Sequence, residues 1–482
     1  MSSYIFKSAK DQALAIRQRV LKSIDLLEEH FKQIDNVNPQ INAVIWQDRE
    51  AARKAAWELD NEAAKGHFRG PLHGVPVTVK ESFDIKGAPT TWGDPHYKDN
   101  IATSDSDPVA RLRASGAIVF GKTNVPLNLV EWQSFNEIYG TTNNPWDNSR
   151  TPGGSSGGSA AALASGMTAL EVGSDIGSSI RNPAHYCGVF GLKPTFKIVS
   201  SRGQSLSEWH SETDIAVAGP LARSAGDLKL AFETIQGLRN IDASAFQNHL
   251  PKDTRKELKD FTIGLKLDDA ESPVETAYLD ALEGFVEKLA RAGAKIVRDR
   301  QPEVNTTEHF QLYLSLLGAA MSARESEEDV NKLREAVTAV GNKRVSEVCG
   351  TRYAGMSLLH RDWLNLHNKR LSHRLAFDAY FENVDILIAP VCGSPAFKHN
   401  QNGPRYSRFL SINGVDHPEM AQTFWSGYSG VVGLPSVVGP IGQIDGLPVG
   451  YQGIAGHGCD FSALAFAEAV EREIAGYTPP PL

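Results

Sequence analysis

The sequence predicts an α/β protein whose sheet is at least partly parallel. Residues 261–267 favour a strand, 274–292 carry the apolar period of an amphipathic helix, and 294–297 favour another strand. A strand, a helix and a strand in this order form a βαβ unit, whose two strands lie parallel in one sheet. The composition agrees, because 41% hydrophobic and 22% charged residues in a chain of 482 are typical of a globular protein.

The N-terminal part alternates helices and strands. Apolar residues at intervals of three or four predict one amphipathic helix that ends at residues 36–39; they are Ile16, Val20, Ile24, Leu27 and Phe31. A strand is expected over 41–46. Within 71–85, valines at every second position predict a half-buried strand that ends at Lys80.

The remaining elements follow in chain order. We expect a helix over 108–114, a strand over 117–120, a small-residue helix over 159–165, strands over 168–172, 384–391, 435–440 and 447–454, and a closing helix over 461–474. Residues 300–375 are mostly helical in pattern. No linker or internal repeat divides the chain, so we expect one domain over 1–482, with 300–375 as a helical elaboration near the substrate pocket.

Charge and residue usage exclude several classes of function. The net charge is −8, so no basic field exists to attract nucleic acid or an anionic membrane. No apolar run approaches the roughly 20 residues that span a bilayer, and the polar start lacks the apolar core of a signal peptide. The four cysteines and 14 histidines lack the spacings typical of metal sites. We therefore expect a cytoplasmic protein with reduced thiols, no metal and no cofactor.

Two short motifs match catalytic patterns without the structural context those patterns need. Residues 116–123 fit the phosphate-loop pattern GxxxxGK[ST], but their apolar centre predicts a strand, and Pro126 stands where the phosphate-binding helix should run. A nucleotide-binding protein is therefore a remote alternative from another class. Residues 154–158 fit GxSxG, yet turn-forming residues precede them where a nucleophile elbow needs a strand.

The informative stretch is 151–195, in which glycines flank serine clusters around Ser155 and Ser179. Glycines beside a serine let backbone amides approach a substrate, so this segment can supply both a hydroxyl nucleophile and N–H groups for an oxyanion. A serine nucleophile needs a base. No histidine is suitable, and Lys80 at the end of a buried strand is the candidate, because burial favours its neutral form.

Together these residues resemble the amidase signature family. The similarity covers 70–93, 124–146 and 151–195, and recurs more weakly at 219–225 and at two C-terminal Gly-Leu-Pro segments. The family uses a Ser-Ser-Lys triad whose serines lie 24 residues apart, the separation of Ser155 and Ser179. The resemblance implies that Ser179 attacks the amide carbonyl and that Ser155 relays its proton to neutral Lys80.

The resemblance also implies an oxyanion hole, a fold and an assembly. The oxyanion hole would be formed by the amides of Ile176, Gly177, Ser178 and Ser179, although position 178 is most often glycine in the family. The fold would be a single α/β/α domain around a large twisted mixed sheet. Many relatives are homodimers, so a homodimer is one expected assembly.

The substrate is less closely specified. In relatives, the segment that here contains Leu129 and Trp132 helps to form the acyl pocket. An aromatic residue beside apolar ones favours an apolar or aryl acyl group. Phe424 and Trp425 are further candidates for this pocket, and ordinary core packing is the alternative for each of these residues. We expect hydrolysis of a small-molecule carboxylic amide, and also of esters, to an acid and an amine or ammonia. The alternative within the family is the amidase subunit of a glutamine-dependent tRNA amidotransferase. Such a subunit needs a polar pocket of the size of glutamine, and Trp132 argues against that pocket.

Overall fold

The computed structural model describes residues 4–206 and 209–482. The strands are β1 (Val44–Gln47), β2 (Pro76–Lys80), β3 (Ile118–Thr123), β4 (Phe135–Asn136), β5 (Gly140–Thr141), β6 (Leu170–Asp175), β7 (Phe190–Lys193), β8 (Val217–Ala222), β9 (Thr262–Leu265), β10 (Lys295–Val297), β11 (Ile386–Ala389), β12 (Phe409–Ile412), β13 (Val415–Pro418), β14 (Ser436–Ile444) and β15 (Leu447–Ile454).

The α-helices surround these strands. They are α1 (Ala9–Arg17), α2 (Ser23–Ile41), α3 (Arg49–Ala64), α4 (Asp107–Ala114), α5 (Gly157–Ala164), α6 (Arg181–Cys187), α7 (Ala225–Ile235), α8 (Asn240–Ala243), α9 (Thr276–Arg291), α10 (Thr306–Met321), α11 (Glu327–Ala339), α12 (Lys343–Val345), α13 (Thr351–Gly355), α14 (His360–Phe381), α15 (Thr423–Gly430) and α16 (Asp460–Glu473). Within the described ranges, none of these helices has the length and apolar character needed to span a membrane.

The main sheet has eight strands in the order β10-β9-β11-β15-β14-β7-β8-β6. β9 is parallel to β10 and to β11, whereas the remaining neighbours pair antiparallel. The prediction of a mixed sheet is therefore confirmed, and β9, α9 and β10 form the expected βαβ unit. Apolar side chains from both faces of this sheet form the larger core.

A second, three-stranded sheet has the order β1-β3-β2 and carries Lys80 at the end of its β2 strand. The backbone N–H of Thr78 in β2 donates to the Thr168 hydroxyl at 3.0 Å, just before β6. The Thr78 hydroxyl in turn donates to Glu171 within β6. These buried contacts fix the small sheet beside the edge of the large one, so the end of β2 lies next to the end of β6.

The small-residue helix α5 connects the two sheets. Each of its residues is buried, because alanine, glycine and serine allow close approach of neighbouring backbones. At Gly158, an added Cβ would lie 2.3 Å from the backbone nitrogen of Asn124. α5 joins α2 and α3 in a second apolar core that includes Phe31 and Phe120.

The N-terminal helix differs from its prediction, because two helices replace one. Residues 18–22 separate α1 from α2, and Arg19 adopts a left-handed backbone with φ of 59°. Val20 is 68% exposed and does not belong to the apolar stripe. The break is stabilised by Asp60, whose carboxylate accepts from the backbone N–H of Ser23 at 2.7 Å and caps α2.

The end of this helix was also predicted too early. α2 continues through Pro39 to Ile41 and ends at Asn42, which has φ of 54°. The Asn38 side chain accepts from the backbone N–H groups of Ala43 and Val44 at 2.8 and 2.9 Å, so it ties the helix end to β1. The apolar period does not report this local side-chain cap, so it cannot place the end of the helix.

The phosphate-loop pattern lies in a strand, as its apolar centre predicted. β3 includes Gly121 and Lys122, whose backbones pair with both neighbouring strands. The Lys122 ammonium is buried and donates to the Pro89 carbonyl and the Thr90 hydroxyl. These groups are therefore committed to the fold and cannot cradle a phosphate.

Candidate active site

The centre of the site is Lys80, which is fully buried at the end of β2. Its Nζ donates to Ser155 Oγ at 2.6 Å and to Ser174 Oγ at 2.9 Å. Burial lowers the pKa of Lys80 to about 7, against the opposing effect of the Asp175, Glu81 and Glu171 charges. A large share of Lys80 is therefore neutral near pH 7, in contact with a hydroxyl that can exchange a proton with it.

The two serine clusters meet in space. Ser155 follows the cis peptide bond Gly154–Ser155. The next amide, that of Ser156, donates to the Ser179 carbonyl at 3.0 Å and joins the two clusters directly. Ser155, Ser174 and Ser179 all line one cavity of about 820 Å³. The structure thus brings Lys80, Ser155 and Ser179 together from segments far apart in the sequence.

The loop after β6 is organised by the carboxylate of Asp175. This carboxylate accepts from the backbone N–H groups of Ser178 and Ile180, each at 3.0 Å, and from the guanidinium of Arg181 at 2.8 and 3.0 Å. Burial alone would raise the pKa of Asp175, but the Arg181 charge and hydrogen bonds keep it below its usual value. The carboxylate therefore stays ionised and shapes the loop.

Two side chains hold the carbonyls of the same loop. Tyr313 in α10 donates its hydroxyl to the Ile176 carbonyl at 3.1 Å, and the Trp132 indole donates to the Gly177 carbonyl at 2.8 Å. The backbone N–H groups of Ile176, Gly177 and Ser179 find no acceptor within residues 4–206 and 209–482. Ile176 and Ser179 line the cavity, so backbone N–H groups without an acceptor lie at its wall.

Ser178 differs from its neighbours in this loop. It is buried, has φ of 75°, and does not line the cavity. Its amide is already committed to Asp175, because only one acceptor can be served well by one N–H. Its hydroxyl has no hydrogen-bond partner in the described part of the chain.

Comparison with known proteins identifies the family of the chain. The family model described as Amidase matches residues 25–464. The chain belongs to the amidase family. An indoleacetamide hydrolase of Bradyrhizobium diazoefficiens is 32% identical over 476 residues, which cover 96% of this chain and 86% of that protein. A glutamyl-tRNA(Gln) amidotransferase subunit of Koribacter versatilis is 31% identical over 482 residues, covering 96% and 97% of the two chains.

The fold agrees with this assignment. A crystal structure of an amidase is similar with a TM-score of 0.77 and 27% identity, over 97% of this chain and 100% of the other. The resemblance predicted from the motifs is confirmed, as is the α/β fold around a mixed sheet. This amidase family member is thus an amide-hydrolysing enzyme.

The predicted acyl-pocket residues divide into two groups. Leu129 lines the cavity, together with Val130. Trp132 does not, contrary to expectation: it is buried beside Tyr186 and Cys392, and its indole supports the Gly177 carbonyl instead. An aromatic with a polar N–H is typically buried where that N–H meets an acceptor.

Phe424 and Trp425 likewise belong to the interior. Both lie in the larger core, outside the cavity lining, and the Trp425 indole donates to the Ser272 carbonyl at 3.1 Å. Core packing therefore accounts for both residues, which was the alternative the sequence left open.

Sequence reasoning missed Ser174, Tyr313 as a loop support, and Arg352. Ser174 escaped because the predicted strand ended at residue 172, whereas β6 continues to Asp175 and presents Ser174 to Lys80. The signal that could have found Tyr313 is that it is one of several aromatic residues in the helical segment 300–375. Arg352 lines the cavity with Met321 and Met356, all from residues 300–375.

Proposed function

We propose that the protein hydrolyses small-molecule carboxylic amides through an acyl-enzyme on Ser179, with Ser155 as proton relay and Lys80 as base. The main supporting observation is the 2.6 Å contact between the Lys80 side-chain nitrogen and Ser155 Oγ, in a cavity wall that also contains Ser179. Lys80 suits this role because burial brings its pKa to about 7.

Acylation moves two protons in sequence. As Ser179 Oγ attacks the amide carbonyl carbon, its proton passes to Ser155, and the Ser155 proton passes to neutral Lys80. The C–N bond then breaks, and the departing nitrogen receives a proton from Lys80 through Ser155. Water attacks the resulting ester and gives up a proton along the same route. The C–O bond to Ser179 breaks as Ser179 Oγ takes back a proton from Lys80 through Ser155, the acid leaves, and all three side chains return to their initial state.

The negative charge on the carbonyl oxygen is stabilised by backbone N–H groups. The unoccupied amides of Ile176, Gly177 and Ser179 are suited to this role, since preorganised donors need no rearrangement during the reaction. The Ser178 amide, included in the sequence-based expectation, is excluded from the proposal because Asp175 already accepts from it.

A serine-directed label tests the nucleophile. Incubation with a fluorophosphonate, intact-mass measurement and peptide mapping should give one adduct on Ser179, absent from Ser179→Ala and strongly slowed in Lys80→Met. Lys122→Met is the matched control, because Lys122 is also buried but its ammonium contacts Pro89 and Thr90. Labelling on Ser156 or Ser178, or normal turnover by Ser155→Ala, would show the assignment to be wrong.

A glutaminase role within a tRNA amidotransferase is the second candidate function. It is favoured by the 31% identity to the Koribacter versatilis protein over 97% of that chain. The expected objection from Trp132 no longer applies, because Trp132 lies outside the cavity. Ammonia release from L-glutamine and from a panel of simple amides, measured with the isolated protein, distinguishes the two. Activity confined to glutamine would favour the amidotransferase role.

A further inference from the structure

A buried arginine lines the cavity without any acidic partner. Arg352 in α13 is only 7% exposed, yet no carboxylate in residues 4–206 or 209–482 lies within ion-pair distance of it. Its two terminal nitrogens contact the Met420 and Met321 sulfurs at 3.4 Å, and its Nε has no partner. The guanidinium carbon also lies 5.6 Å from the centroid of the Tyr353 ring. Thioether sulfur is a weak acceptor and an aromatic face carries no net charge, so the guanidinium still lacks an anionic partner.

Other buried arginines of the chain are compensated. Within the described ranges, Arg181 pairs with Asp175, Arg408 with Glu131 and Arg370 with the half-buried Asp214. Arg223 donates instead to backbone carbonyls at 2.5 to 3.3 Å. Because an unpaired buried charge is costly, Arg352 is an exception that the fold itself does not explain.

The surroundings of Arg352 connect it to the reacting centre. Burial raises the pKa of Tyr313, and the charge of Arg352 opposes this rise with a weaker effect. The Tyr313 hydroxyl donates to the Ile176 carbonyl, in the loop that ends at Ser179. Burial lowers the pKa of Arg352, and the nearby Arg405 lowers it further. A guanidinium in this position gains most from an anion that enters the cavity with its acceptors already aligned.

We propose that Arg352 binds a carboxylate carried by the amide substrate. This inference rests on the proposed function, and it narrows the substrate class to amides with an anionic group close to the scissile bond. It also replaces the expectation of an uncharged apolar or aryl acyl group, which depended on Trp132.

Binding to an inactive variant tests the proposal without requiring turnover. Ser179→Ala protein is titrated calorimetrically with succinamate, glutaramate and adipamate, each compared with its neutral diamide; N-acetylglycine and its methyl ester form a second pair, with the carboxylate on the amine side. In at least one pair the carboxylate should bind about 10- to 100-fold more tightly than its neutral counterpart, because a hydrogen bond to a charged group strengthens binding by about this factor. Arg352→Gln in the same background should abolish the preference.

A matched control separates a specific site from the general charge of the cavity. Arg324 lines the same cavity but is exposed, with its guanidinium 5.2 Å from the Trp92 ring centroid. Arg324→Gln should preserve the preference for the carboxylate. Equal loss in both variants, or no preference in any pair, would overturn the proposal.

Stability supplies an independent measurement. Replacing an arginine that stabilises the fold should destabilise the protein, whereas replacing an unpaired buried arginine should not. Arg352→Met, which matches the neighbouring methionines, should therefore melt at the same or a higher temperature while losing the carboxylate preference. A preference that survives in this folded variant would overturn the proposal. Failure of Ser179 labelling would instead contradict the proposed mechanism and leave the binding result intact.

Discussion

The pH dependence of catalysis follows directly from the burial of Lys80. With a pKa of about 7, Lys80 is neutral in about one tenth of molecules at pH 6 and about nine tenths at pH 8. kcat/KM should therefore rise about tenfold between these pH values and then level off. A lysine with its ordinary pKa of 10.5 would instead give a tenfold rise per pH unit through this whole range.

The assay is the initial rate of acid formation from a primary amide between about pH 5.5 and pH 10 at constant ionic strength. An ester of the same acid shows whether acylation limits the rate, because the ester has a better leaving group and should then react faster. A flat profile with acylation limiting, or a rise that continues to the alkaline end of the range, would refute a buried neutral lysine as the base.

Glu171 is the group most easily confused with Lys80 in this profile. It is buried next to Thr78, and burial raises its pKa to about 8. Glu171→Gln should retain the rise with pH, with its midpoint unchanged or only slightly lower, because a carboxyl with a pKa of about 8 carries in only about a tenth of molecules at pH 7 the charge that raises the pKa of Lys80. Loss of the rise in this variant would assign it to Glu171 and contradict the assignment to Lys80.

Further predictions concern stability and loop position. Because the folded pKa of Lys80 is depressed from 10.5 to about 7, Lys80→Met should stabilise the protein by about 3 kcal/mol at pH 8 and less toward pH 10; urea unfolding with no gain at either pH would contradict this. Asp175→Asn leaves Arg181 uncompensated and should cost about 3 kcal/mol or more in urea unfolding. Trp132→Phe removes the hydrogen bond to Gly177 and should lower kcat about tenfold with little change in KM; an altered acyl-length preference would place Trp132 in contact with substrate instead. Ser178→Gly removes a side chain from a residue with a left-handed backbone, together with a buried unpartnered hydroxyl, and should add roughly 1 kcal/mol of stability in thermal unfolding.

Local patterns were sufficient where a residue's environment follows from its immediate neighbours. Alternating valines placed Lys80 at the end of a strand, although they predicted a half-buried strand and β2 is buried on both faces. The apolar centre of 118–123 identified a strand despite its phosphate-loop motif. Periodicity failed at the N-terminus, because Asp60 from another helix caps the start of α2 and stabilises a break there.

The sequence by itself determined the family and the residue types available for catalysis through its motifs, and an α/β fold with a partly parallel sheet through its apolar period; the mixed sheet was implied by the family resemblance. Only the tertiary structure decided which of those groups meet. It placed Lys80 within 2.6 Å of Ser155, committed the Ser178 amide to Asp175, turned Trp132 away from the cavity and left Arg352 unpaired within it. A pattern shows that a side chain is buried, but its partners come from distant segments, and their packing sets both the contact and the pKa.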